Sequence, residues 1–148
     1  MAWAEAWEDV EAEIVKVLEG VSITEPQSEI KRVYPDPPGS LTDLPCFVIY
    51  PSAKKSVRGS CLDALTLTVR LRLFVSDADL SQAAHIANAF GFAVITAFNK
   101  AITLAGTAEI IDGPNVEEAA SFVFGGKQYT GADCLLTVTL IAAADYSG

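Results

Sequence analysis

Leu65, Leu67, Val69, Leu71, Leu73 and Val75 alternate with Thr66, Thr68, Arg70, Arg72 and Phe74. Period two over this length predicts a strand across Leu62–Val75, with one buried face and one polar face that carries both arginines. The polar face is either exposed and blunted by charge or directed at a partner or a lumen. A different period marks the N-terminus. Trp3, Trp7, Val10, Ile14, Val17 and Leu18 recur at steps of three and four, which predicts an amphipathic helix over Ala2–Glu19. Glu5, Glu8, Asp9, Glu11 and Glu13 crowd its positive end, and Gly20 is a natural stop. The two tryptophans, one turn apart, read as core anchors or as an aromatic contact for a neighbouring subunit.

Between these elements a short strand is expected at Ile30–Tyr34. The run Pro35-Asp36-Pro37-Pro38-Gly39-Ser40 excludes helix and central strand. Cys46–Tyr50 is continuously apolar and reads as a strand covered on both faces and ended by Pro51. Residues 52–61 read as a basic loop or hairpin arm. A long helix is expected from Leu80 to Thr103 after the cap-type cluster Ser76–Asp79. It is apolar on nearly all sides, so it must be covered on nearly all sides. Gly91, in its middle, costs about 1 kcal/mol relative to alanine, which suggests close approach of another backbone or a mild kink. Short strand Ala108–Asp112, a turn at Gly113-Pro114-Asn115, and strands Val116–Phe124 and Lys127–Ala143 around Gly125-Gly126 complete the chain. The order predicts one α+β domain over residues 1–148. Its sheet is mixed but mostly antiparallel, with the N-terminal helix and the long central helix packed on one face.

Composition sharpens this picture. Apolar residues make up 51% of the 148 and charged ones 20%, so either the core is very full or some apolar surface is meant for a partner. The net charge of −9 is segregated. Residues 1–50 hold ten acids and three bases, residues 51–75 five bases and one acid, and residues 76–148 eight acids and two bases. Such segregation suits head-to-tail packing of copies, or else it marks solvated faces. The acidic balance argues against tight nucleic-acid binding.

Candidate chemistry is sparse. Cys46, Cys61 and Cys134 form no C-x-x-C pair, and two of them lie in apolar runs, so buried thiols in a reducing compartment are expected. His85 is the lone histidine and has no ligand spacing to any cysteine. Gly125-Gly126-Lys127 is followed by Gln128 and lacks the phosphate-loop pattern. Asp77/Asp79 and Glu117/Glu118 make no acid–base couple. The expectation is therefore no enzyme, no cofactor and no metal. Met1–Val21 lacks a basic leading region, so neither a signal peptide nor a membrane span is expected.

The chain resembles the tail terminator, or tail completion, proteins of long-tailed bacteriophages and related prophage and gene-transfer particles. The similarity lies in the N-terminal amphipathic helix and the Leu44-Pro45-Cys46-Phe47-Val48-Ile49-Tyr50-Pro51 strand. It continues through the alternating strand Leu62–Val75, the helix of roughly 20 residues, and the hairpin ending in Tyr129-Thr130-Gly131-Ala132-Asp133. The resemblance implies a structural virion protein, assembled in the host cytoplasm. Copies would form a ring, commonly a hexamer, at the head-proximal end of the tail tube. There the ring stops tube polymerisation and offers a docking surface to the head-side connector. Its partners would be itself, the tail tube protein and the connector, with DNA only in transit through the channel and no membrane. An acidic lumen would let DNA slide. A head–tail connector, a tail tube subunit or a minor tail protein is an alternative. So is a small-ligand-binding or enzyme domain that uses an apolar cleft beside the long helix. The residues expected at subunit or partner contacts are Pro35, Pro37 and Pro38 in the 33–43 loop, Lys54, Lys55 and Arg58 in the basic arm, and Arg70 and Arg72.

Overall fold

The computed structural model describes residues 3–24, 26–58, 62–76 and 80–143. It mixes two helices with a curled, mixed sheet. The elements are α1 (Trp3–Glu19), β1 (Ser22–Thr24), β2 (Gln27–Glu29), β3 (Arg32–Tyr34), β4 (Cys46–Arg58), β5 (Leu62–Ser76), α2 (Leu80–Asn99), β6 (Ile110–Val116), β7 (Ala120–Phe124) and β8 (Lys127–Ala143). The main sheet runs β3-β4-β5-β8-β6, and β7 also pairs with β8. Only β3 and β4 run parallel; the other pairs of this sheet are antiparallel.

The alternation in β5 does what its period dictates. Leu65, Leu67, Val69, Leu71, Leu73 and Val75 enter one core together with Phe47 and Ile49 of β4 and Cys134, Leu136, Val138 and Leu140 of β8. Val10, Ile14 and Leu18 of α1 and Ala87, Phe90, Val94 and Phe98 of α2 fill the same core. Register explains the match: Phe47 lies opposite Leu73, and Leu73 lies opposite Ala132, so alternate residues of neighbouring strands share one side. Trp3 and Trp7 are half-buried and pack against this core.

Several boundaries differ from the sequence expectation, each for a local reason. Strand β4 does not stop at Pro51: residues 52–58 continue it, paired antiparallel with β5, which is the hairpin-arm alternative for this stretch and not the loop. Proline is tolerated because β3 covers β4 only at Cys46–Val48, so Pro51 lies where β4 is an edge, beside a bulge between Pro51 and Ala53. The long helix ends at Asn99, short of Thr103. Leu104, with φ of 48°, turns inward and is buried, and Ala105 and Gly106 continue the left-handed turn. A left-handed leucine costs roughly 1–2 kcal/mol, a cost offset by burying its side chain. The expected turn at Gly113-Pro114-Asn115 is a bulge inside β6, which slips register between Asp112 and Asn115. The expected strand Val116–Phe124 is two strands broken at residues 117–119. The hairpin β1–β2 has no counterpart in the sequence reading.

Helix α2 is not covered all round. Phe92 is 74% exposed. Gly91 is explained by a side chain instead of a backbone: a Cβ there would lie 2.7 Å from Val116 Cγ1. Alanine would gain about 1 kcal/mol of helix propensity, but overpacking against a stiff valine costs about 1–3 kcal/mol. Gly91→Ala is therefore expected to lower stability by about 1 kcal/mol in urea titration. Adding Val116→Ala should remove that penalty.

Candidate interaction surfaces

The face of the sheet opposite the main core is closed at one end by a second apolar cluster. At the closed end Phe74 meets three rings edge-on: Phe122 at 6.2 Å, Phe124 at 5.5 Å and Tyr129 at 5.6 Å between centroids. Tyr34, Leu41, Cys46 and Val48 complete this second core, with Leu44 and Tyr50 packed against it. The β7–β8 hairpin supplies three of these rings. It turns at Gly125 and Gly126, whose φ values of 59° and 79° are those of the two-residue turn that the glycine pair predicts. Phe74 belongs by parity to the same side of β5 as Arg70 and Arg72, opposite the side that Leu73 and Val75 give to the main core.

Asp133 of β8 is 2% exposed and lies directly opposite Arg72 of β5. Arg72 donates twice to it, from Nε to Oδ1 at 2.8 Å and from Nη2 to Oδ2 at 3.0 Å, and Arg70 donates to Oδ2 from the other side. The Arg72 guanidinium lies 4.2 Å from the Phe122 ring centroid and 5.8 Å from that of Tyr50. Burial works to raise the Asp133 pKa, but the hydrogen bonds from Arg72 and Arg70 outweigh it and hold the carboxyl below its ordinary value. The hydrogen bond to Asp133 raises the Arg72 pKa in turn. Both arginines are thus engaged within the chain. Burial pushes the Cys46 and Cys134 thiols up to about 12, so neither is a thiolate near neutral pH.

The other expected contact residues are dispersed. Pro35 and Pro37 are exposed and Pro38 is half-buried on the β3–β4 connection, which Leu41 and Leu44 pin to the second core. Val33 and Tyr34, at the start of that loop as expected from sequence, are buried in the sheet. Lys54, Lys55 and Arg58 lie in the distal half of β4, paired with Leu67, Thr66 and Asp63 of β5. His85 is exposed on α2. Among the described residues no group of three or more His, Cys, Asp or Glu side chains could hold a metal ion, and no helix is long and apolar enough to cross a membrane.

An apolar cleft beside the long helix was expected only under the ligand-binding alternative, without any of its lining residues. A groove of about 450 Å³ runs between α2 and the end of β6, bounded by Gly91, Phe92, Ile95, Pro114, Val116 and the Glu117-Glu118 pair. A shallower depression on the other side of Phe92 is formed with Ile23, Ala89 and Ala93. Phe92 is a large aromatic ridge between two hollows. The signal in the sequence was the surplus of apolar residues on α2, but only the packed structure says which one is left over. No family model matches the chain, and comparison with curated proteins finds no match.

Proposed function

We propose that this protein is a structural, self-assembling component of a phage-type tail, a tail terminator whose ring caps the head-proximal end of the tube and receives the head-side connector. In this reading the two helices lie together on one face of the sheet and present Phe92 to a neighbour. The observation that carries the reading is Phe92: a phenylalanine three-quarters exposed beside an apolar groove, on a helix whose other aromatic residues, Phe90 and Phe98, are buried. Exposed aromatic ridges next to hollows are what protein interfaces are made of. The order of elements, similar to that of the terminator proteins, directs the reading to the tail. The assembly acts by shape and adhesion, without catalysis or cofactor, and DNA only passes through its channel.

The same groove favours a second reading, in which it holds a small apolar ligand as a monomer. Light scattering coupled to size exclusion, followed by incubation with growing tail tubes, separates the two. A ring that halts tube elongation supports the terminator. A monomer that leaves tube growth unchanged sinks it, and a monomer that takes up a small apolar ligand such as a fatty acid establishes the second reading.

A further inference from the structure

The two edges of the main sheet carry opposite charge. Strand β4 forms one side and β6 the other, with β5 and β8 between them. Among the described residues nothing pairs with β4 beyond Val48 on the side away from β5. The β4 segment Cys46–Arg58 contains Lys54, Lys55 and Arg58 and no acid. The opposite edge, residues 109–118, contains Glu109, Asp112, Glu117 and Glu118 and no base. The apolar groove beside Phe92 opens at this acidic edge. Lys55 lies level with Thr66, Thr139 and Ile110 across the sheet, whereas Val116 lies level with Cys134, five residues further along β8. At strand spacings of about 4.8 Å and rises of about 3.4 Å, Lys55 and Val116 are roughly 22 Å apart within one chain, and Glu117 and Glu118 follow beyond Val116, too far from Lys55 to meet it.

We infer that the basic half of β4 in one copy docks into the acidic, Phe92-lined groove between α2 and β6 of the next copy. This deepens the self-assembly reading above and rests on it. The contact is heterologous: each copy gives a basic edge and receives one, so copies join head to tail and either close into a ring or run on as a filament. The chemistry of the two halves matches. Glu117 and Glu118 are exposed, and their charge attracts the ammonium and guanidinium groups. The apolar floor accommodates the aliphatic stems that lysine and arginine lay along hydrophobic surface. A C2 arrangement of identical edges would instead set base against base or acid against acid, which like-charge repulsion opposes.

The test reverses each half separately. One variant carries Lys54→Glu, Lys55→Glu and Arg58→Glu; the other carries Glu117→Lys and Glu118→Lys. Sedimentation velocity at several concentrations should show the wild type assembled and each variant dissociated at least about tenfold more readily. An equimolar mixture of the two should reassemble, because each reversed edge now finds a reversed groove and each native edge a native groove. Phe92→Ala alone should weaken assembly by at least about tenfold. Reversed variants that assemble like the wild type, or folded variants whose mixture stays dissociated, overturn the inference while leaving self-assembly standing. A wild type that is monomeric throughout overturns both. Should a reversed chain lose its circular dichroism signal, crosslinking in otherwise native chains decides. Lys55→Cys and Glu118→Cys, each with Cys61→Ser, should give a covalent dimer only when mixed, and no dimer overturns the contact.

Discussion

Gly131→Ala is expected to abolish the folded state or to leave it with a small fraction of its stability. Gly131 lies opposite Phe74 of β5 and Ala120 of β7, so β8 is hemmed in on both sides at this residue. A Cβ added there would fall 1.7 Å from the Leu73 carbonyl oxygen and 2.8 Å from its carbon. Backbone atoms cannot swing aside as a side chain tip does. The β5–β8 ladder must part, or the β7–β8 hairpin must lift from Phe74 and open the second core. Either response loses paired backbone groups and buried rings, a cost above about 4 kcal/mol. Domains of this size hold about 5–15 kcal/mol in all. Urea or thermal unfolding followed by circular dichroism measures the loss. Gly126→Ala is the control: its φ of 79° strains an alanine, yet nothing lies within 4 Å of the added carbon. It should cost only about 1–2 kcal/mol. Equal effects at the two positions would show that the Leu73 carbonyl gives way cheaply and that this contact is not what requires glycine at position 131.

Much of the fold was legible because it follows from period and punctuation. The parity of β5, the stripe of α1 and the Gly125-Gly126 turn are local properties, and each survives in the structure as written in the sequence. The errors fall where tertiary packing overrides a local rule. Pro51 is a strand breaker only if a second strand needs its N–H, and edge status removes that need. Ile102 prolongs the apolar pattern of α2 but is exposed, and Leu104 takes the buried place through a left-handed turn. The hairpin β1–β2 rests on one buried residue, Ile23, in a polar stretch without periodicity. Of the candidate contacts, the basic arm was visible as composition, but its position on the edge opposite Glu117 and Glu118 depends on strand order, which no period encodes. Asp133 was missed as the partner of Arg70 and Arg72. An aspartate within an apolar strand, with two arginines two residues apart on another strand, was the available sign.

Asp133→Asn tests whether that pairing holds the two halves of the outer face together. The amide keeps the shape of the carboxylate but removes the charge, leaving Arg70 and Arg72 facing each other without a counterion. Breaking a buried ion pair from one side costs about 3–5 kcal/mol, and the arginine side chains are a quarter to a third exposed, so a loss of about 3 kcal/mol is expected near neutral pH. The pH dependence separates charge from shape. An aspartate in the unfolded chain titrates near about 3.9, and Asp133 in the folded chain titrates lower. Above the unfolded value both states are ionised and the full contribution is present. As pH falls below it, the unfolded chain takes up its proton first, so unfolding becomes easier until the folded value is passed as well. The asparagine variant lacks this titration, while the remaining carboxylates titrate in both proteins and cancel in the difference. The stability gap between wild type and variant should thus be constant above about pH 5 and should shrink as pH falls below about 4. A gap that stays the same down to the acid limit would mean that Asp133 stabilises the fold by its packing, and that the arginines find their counter-charge elsewhere.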